Sequence, residues 1–571
     1  MHIGNLILIS PAIYLTVAAV LVLLIGVVAE RNPKGKVEHY LSAHYLAPAL
    51  TFPALVLAIG VTWLSLKYVG VYGNVLIGDE IARVPLIGLF ITSGGFAQLT
   101  VDPFAGILSC VAIAGTLIVM LLSIDHFGEF QTHKAEYYAL LMFATAAATL
   151  AAASSDLIAI YLSIEFLSLV SYVLAAYSKK DRRSGEAGLK YFLYGAACSA
   201  IMLYGMSILF GVTGGNTSLA AIAKNFNVAS PDLGFGAAAT GAGWVGVMFV
   251  LVGLGFKVAL VPFQFWAPDV YEGAPTPVTA FLSVVSKAAG LAVLVRFVMV
   301  VALPANPASL SWYWILIVMC GLSMLWGNLV ALSQRNIKRM LAYSSIAQVG
   351  YMMVGVLAEM HVFTRTSLQV SLPGGTNGAL VRANVFGMDG IPWGMQGVLI
   401  FMVAYLLMNL GAFAVVVAVG KRLGSDSIDS YAGLMRRSPF YAVALTVFLA
   451  SLAGIPPTAG FLGKLFVFGS AVKIGLMGHP ELIALAALGV VNSVISVYYY
   501  FNVVRQMFFV PGELKPAIQG TLAVNTAIVV TLVLTLGLIV VAKPVSQVAS
   551  NAVYYSSQSA VPAGSHNLRS K

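Results

Sequence analysis

The sequence predicts an all-α polytopic membrane protein with about fourteen transmembrane helices. Two observations carry that prediction: an apolar, charge-poor composition, and apolar runs long enough to cross a bilayer. Of its 571 residues, 60% are hydrophobic and 9% are charged, and the mean hydropathy is +0.92. Soluble domains carry about a quarter charged residues, so a single water-soluble core is excluded. A transmembrane β-barrel would show short alternating segments. Here the runs are continuous and reach the about 20 residues that a membrane-crossing helix needs.

In chain order the runs fall near 5–28, 46–68, 102–123, 136–153, 156–177, 187–212 and 240–266. They continue near 275–301, 311–333, 339–358, 395–420, 440–472, 482–509 and 521–542. Charge tests this count. Loops after odd-numbered spans hold 17 Lys and Arg, while the opposite loops and both termini hold nine. Cytoplasmic loops collect basic residues, so the odd loops read as cytoplasmic and both termini as periplasmic. The same rule accounts for the net charge of +10: no basic domain exists, and nucleic acid is not an expected partner. No charged residue precedes Glu30, so the first run lacks a signal-peptide n-region and reads as a retained helix. Segments 69–101 and 359–394 read as long extracytoplasmic loops. Cys110, Cys198 and Cys320 are isolated within apolar runs, which supports neither a disulfide framework nor an iron–sulfur site. No metal-binding motif is present.

Apart from residues at or near the span ends, the ionisable residues to weigh inside the spans are Glu165, Lys190, Lys257, Lys287, Arg296 and Lys464. A charge at mid-membrane costs about 2.5–3.5 kcal/mol on insertion scales, so such residues face a bundle interior or water. Arg296 is close enough to its span's end to snorkel, a structural role. For Lys190, a few residues inside the sixth span, snorkelling and function weigh equally. Glu165, Lys257, Lys287 and Lys464 lie too deep for snorkelling and point to a proton path, with buried structural pairing as the competing reading. Proline strengthens the path reading. Pro262 follows Lys257 inside the seventh span, and Pro456 and Pro457 precede Lys464 inside the twelfth. Proline breaks a helix, and freed backbone at membrane depth is tolerated only when buried in protein or lining a hydrated cavity. Interrupted helices in corresponding halves, each with a deep ionisable residue, mark ion sites in transporters. The chemistry suits protons: desolvation lowers a lysine's proton affinity and a nearby carboxylate restores it. Glu165 could thus set the charge of Lys257, with Lys287 and Lys464 passing the proton on. No cage of carboxylates suits a hard cation.

The stretches SIEFLSLVSYVLAAYSKKDRRSGEAGLKYFLYGA and GFKVALVPFQFWAPDVYEGAPTPVTAFLSVVSKAAGLAVL resemble the antiporter-like N subunits of NADH–quinone oxidoreductase, respiratory complex I. NIKRMLAYSSIAQVGYMMVG and SLAGIPPTAGFLGKLFVF extend the match, which runs from about residue 100 to 510. The resemblance implies two inverted five-helix repeats with broken helices seven and twelve. Segment 1–123 is then an N-terminal three-helix unit, 136–301 the first repeat (helices four to eight), 311–509 the second (helices nine to thirteen), and 510–571 helix fourteen and the tail. It also implies proton translocation through Glu165, Lys190, Lys257, Lys287 and Lys464. A lysine at 464 fits N- or L-type subunits better than M-type, and the chain's end soon after span fourteen fits N-type. Expected partners are M-, L- and K-type membrane subunits and a peripheral redox arm carrying FMN and iron–sulfur clusters, in a bacterial inner membrane. This chain is expected to hold no cofactor and no redox site. A multisubunit cation/proton antiporter is the alternative assembly, and a non-pumping scaffold is the alternative of a different class.

Overall fold

The computed structural model describes residues 10–30, 43–75, 88–91, 97–127, 134–227, 236–301, 310–370, 394–512, 517–542, 544–546 and 548–549. The two chain ends, and large parts of segments 69–101 and 359–394, lie outside the described residues.

Every apolar run of the sequence is occupied by helix. The helices are α1 (Ser10–Glu30), α2 (Ala43–Val75), α3 (Pro103–Phe127), α4 (Lys134–Ala153), α5 (Leu157–Ala175) and α6 (Arg182–Val212). The seventh run is split into α7a (Gly236–Val258) and α7b (Trp266–Gly273). Then come α8 (Thr276–Val301), α9 (Leu310–Ala331), α10 (Ile337–Val370) and α11 (Gly394–Leu423). The twelfth run is split into α12a (Pro439–Ala453) and α12b (Ala459–Gly475), before α13 (Pro480–Phe509) and α14 (Leu522–Gly537). Among the described residues, eleven helices are individually long and apolar enough to cross a membrane. The chain is a polytopic all-helical membrane protein.

Local chemistry sets the ends. Asp156, Asp181 and Thr521 cap α5, α6 and α14 by accepting from Ile158, Arg183 and Val524 backbone N–H groups, and Pro439 and Pro480 open α12a and α13, where a missing N–H costs nothing. Two features depart from the apolar pattern. Gly88–Ile91 pairs antiparallel with Ala97–Thr100, a hairpin inside the segment read as plain loop. And α10 runs on to Val370, beyond the expected end near 358, so the following connection is shorter.

Helices α8, α10 and α11 form the centre, buried along nearly their whole length, whereas α5, α6 and α13 expose rows of apolar side chains such as Leu162, Phe166 and Leu169, Leu189 and Leu193, Val490 and Val494. That polarity is inverted relative to a soluble protein, as expected where the surroundings are hydrocarbon or neighbouring membrane subunits.

The two breaks are built alike. At the end of α7a, Leu260 N–H donates to Gly255 C=O at 2.8 Å and Ala259 N–H to Phe256 C=O at 3.0 Å, with Ala259 at φ +60°. At the end of α12a, Ile455 N–H donates to Ala450 C=O at 3.0 Å and Gly454 N–H to Ser451 C=O at 3.0 Å, with Gly454 at φ +89°. Both are the paired i−5 and i−3 bonds that close a helix on a left-handed residue. Pro262 and Pro457 each follow that residue by three positions, and neither break is rewound before α7b or α12b begins. The left-handed conformation costs an L-residue about 1–2 kcal/mol, so Gly454→Ala should lower the melting temperature of the purified assembly. A Cβ there would also sit 2.9 Å from Lys464 Cδ. Ala259→Gly, which relieves the same strain, should not lower it.

Candidate functional site

The first break places a lysine in the interior. Lys257 is completely buried on the last turn of α7a, and its Nζ donates to Ser168 Oγ on α5 at 2.9 Å. Its stem passes over Gly290 of α8, where a Cβ would approach Lys257 Cγ to 2.9 Å. Glu165 lies one turn before Ser168 on α5. It is half-buried rather than deeply buried, and its Oε2 accepts from Ser199 on α6 at 2.7 Å. The pair expected from sequence is therefore indirect: no ion pair joins Glu165 to Lys257, and each is hydrogen-bonded to a serine instead.

Lys287 is the next buried ammonium. It follows a π-helical turn, Leu282–Ser286, a widening that recurs at functional sites. Its Nζ donates to Ser345 Oγ on α10 at 2.7 Å and lies 5.9 Å from the Tyr271 ring centre on α7b. The hydroxyls of Tyr271 and Tyr405 approach Ser345, but among the described residues neither makes a well-formed hydrogen bond.

Lys464 uses the second break itself. Its Nζ donates to the carbonyls of Leu452 and Ala453, both at 2.9 Å, and to Ser493 Oγ at 2.6 Å. Those carbonyls end α12a, where the interrupted helix leaves acceptors open and its dipole favours a cation. The Tyr351 ring centre lies 4.6 Å from the ammonium, close enough for a cation–π contact.

Polar groups run from Lys287 to Lys464. Ser345 is followed on α10 by Gln348, whose Nε2 donates to Leu452 C=O at 3.0 Å, the carbonyl that also holds Lys464. Tyr500 OH bonds Ser344 at 2.5 Å and receives Gln348 Nε2 at 3.5 Å. On the other side of Lys287, the hydroxyls of Tyr172, Tyr191 and Ser286, Gln264 Oε1 and Asn409 Oδ1 are buried without a hydrogen-bond partner among the described residues, as is Gln348 Oε1 on the Lys464 side. A buried polar atom with no bond costs about 1–3 kcal/mol, and buried water is the usual remedy. All but the Gln348 atom lie around the break in α7 and the π-turn of α8.

Sequence reasoning missed this supporting set, although Ser344, Gln348 and Tyr351 recur at helical spacing on α10 and form a polar stripe in an apolar helix. The remaining charged residues stand apart. Lys190 is 40% exposed at the other end of α6 and ion-paired to Glu186 and Asp269, both at 2.8 Å. Arg296 does not snorkel: its side chain is 10% exposed and pairs with the buried Asp102 at 2.6 Å, while donating to Ala152 and Thr100 carbonyls. Lys338, counted with the loops, is 7% exposed and pairs with Asp426 at 3.0 Å. Among the described residues, no group of three or more His, Cys, Asp or Glu side chains is placed to hold a metal ion.

A family model described as "NADH:quinone oxidoreductase/Mrp antiporter, TM" matches residues 154–388 and 383–496, which include the helices bearing Lys257, Lys287 and Lys464. The chain belongs to this family. It is similar to NADH-quinone oxidoreductase subunit N of Desulfitobacterium hafniense, 39% identical over 79% of this chain and 84% of the relative. It is 38% identical to NAD(P)H-quinone oxidoreductase subunit 2 of Synechocystis, over 82% of this chain and 84% of that one. In the structure of respiratory complex I from Thermus thermophilus with bound aureothin, one chain is 29% identical with a TM-score of 0.68, covering 95% of this chain and 99% of that one. A chain of the Mrp complex from Dietzia, 19% identical with a TM-score of 0.74 over 98% of this chain and all of its own length, shares the fold. The resemblance seen in the sequence motifs is thereby borne out.

Removing one partner of a buried ion pair costs about 3–5 kcal/mol, so Arg296→Met should sharply reduce the thermal stability of the assembly. Arg296→Met combined with Asp102→Asn, which removes the stranded charge and keeps an N-cap for α3, should recover part of the loss in the same melting assay.

Proposed function

We propose that this chain is the proton-translocating antiporter-like subunit of a complex I, moving protons along a relay of Glu165, Lys257, Lys287 and Lys464. The observation that carries the proposal is three buried ammonium groups, none in an ion pair, each hydrogen-bonded to a serine and two of them beside a helix break. A purely structural lysine in this setting would be expected to hold a carboxylate. Serine hydroxyls and open carbonyls hold the charged form weakly enough for the proton to leave. The carboxylate of Glu165, one turn from Lys257's serine, biases that lysine towards its charged form when it approaches and towards the neutral form when it withdraws.

Like construction of the breaks at Ala259–Pro262 and Gly454–Pro457 supports two repeats, residues 136–301 and 311–509, flanked by 1–123 and 510–571. The charge asymmetry of the loops supports opposite topologies for them, with both termini periplasmic in a bacterial inner membrane. NADH oxidation and quinone reduction would take place in partner subunits carrying FMN and iron–sulfur clusters, with M-, L- and K-type subunits beside this one. This chain would hold no cofactor and no redox site, contributing to the enzyme as a translocase. Each proton moved against 100 mV requires about 2.3 kcal/mol, which electron transfer in the peripheral arm would supply.

The test is proton pumping by the assembly reconstituted in vesicles. Lys257→Met should reduce the protons pumped per NADH oxidised by about tenfold or more, a factor that needs only about 1.4 kcal/mol of added barrier to proton transfer. Lys257→Arg should do the same, because arginine keeps its charge but does not release its proton. Unchanged stoichiometry in both variants would contradict the relay. A purified assembly that lacks redox activity and exchanges cations for protons would assign the chain to a multisubunit antiporter instead.

A further inference from the structure

Several charged residues that the relay leaves out form a cluster around the short helix α7b. Asp269, on α7b, is shared: its Oδ2 accepts from Lys190 of α6 at 2.8 Å and its Oδ1 from Arg339 of α10 at 2.6 Å. Arg339 also pairs with Glu272 of α7b at 3.0 Å, and Glu272 Oε1 accepts from Asn336 at 3.4 Å. Lys338 donates to the carbonyl of Ala274, the residue that ends α7b, at 3.2 Å. On its other face α7b is held by apolar and aromatic contacts. Trp266 stacks on Tyr191 of α6 at 4.3 Å and donates from Nε1 to Phe256 C=O at the end of α7a. Tyr271 reaches towards Lys287.

Each helix gripped by Asp269 also carries a partner of the relay. Lys190 stands on α6, which bears the Ser199 that binds Glu165. Arg339 stands on α10, which bears the Ser345 of Lys287 and the Tyr351 of Lys464. The helix between them bears Tyr271. Non-helical backbone at 259–265 and at 274–275 separates this eight-residue helix from α7a and α8. One carboxylate, with side-chain exposure of 33%, therefore joins the helix at the Glu165 end to the helix at the Lys464 end.

We infer that Asp269 and Lys190 are positioning residues. They act as an ionic clamp that sets α7b, and with it the surroundings of Lys287, between the two halves; Lys190 acts through Asp269 rather than as a carrier of the translocated proton. This rests on the relay reading above and narrows it.

Arginine at position 190 separates the two roles, since it keeps the bond to Asp269 but cannot cycle a proton at physiological pH. In vesicles containing the whole assembly, the ratio of protons pumped to NADH oxidised is measured for K190R, K190M, D269N and D269E, with K257R as the reference. The clamp predicts that K190R and D269E keep the parental ratio, while K190M and D269N lose it several-fold and K257R loses it in full. Loss in K190R together with an unchanged D269N would make Lys190 a carrier and overturn the clamp. Parental ratios in both K190M and D269N would overturn it as well. An unaffected K257R would instead defeat the relay itself. Should K190M or D269N fail to assemble, by native electrophoresis of the membranes, K190R and D269E against the parent still decide the question.

Discussion

Three ammonium groups in the interior of a membrane protein constrain everything else in this structure. Each must be desolvated only as far as its local hydrogen bonds allow, because an isolated charge at that depth is not tolerated. The chain meets the requirement without carboxylate partners. Lys257 has a serine on α5, Lys287 a serine on α10, and Lys464 a serine on α13 together with two carbonyls released by the break in α12. Elsewhere in the same chain, where a charge is simply structural, the partner is a carboxylate, as Asp102 is for Arg296 and Asp426 for Lys338.

The breaks serve that requirement in two different ways. In α12 the ammonium caps the interrupted helix from beyond the break, using its open carbonyls as ligands. In α7 the lysine sits before the break, and the segment after it forms a short separate helix with Tyr271 beside Lys287 and Asp269 in an ion-pair cluster. A backbone feature of one kind thus holds a charge at one break and sets off a short helix at the other. The central position of α10 joins them, since one stripe of its surface bears Ser344, Ser345, Gln348 and Tyr351 while its first turn bears Arg339.

Much of this was legible in the sequence, for physical reasons. Long apolar runs can only be membrane helices, a lysine inside one announces its own cost, and proline at 262 or 457 cannot continue a helix. What escaped notice depends on pairing across the chain. Ser168 and Ser345 look like any hydroxyl in an apolar helix, able to satisfy itself on a carbonyl a turn away, as both also do. Lys190 could not be separated from a relay lysine because its partner Asp269 is 79 residues away, and the indirect link between Glu165 and Lys257 depends on rotamers rather than positions. The paired strands 88–91 and 97–100, four residues each, lack the length that would announce strands.

The claim that these lysines belong to one hydrated track is tested most directly by density for ordered water in a high-resolution structure of the whole assembly. Water is expected to bridge the hydroxyls of Tyr172, Tyr191, Ser286, Tyr271 and Tyr405 and to continue past Gln348 to Lys464, since those buried hydroxyls make no well-formed hydrogen bond among the described residues. A dry, tightly closed interior between Lys257 and Lys464 in every state of the working enzyme would contradict it.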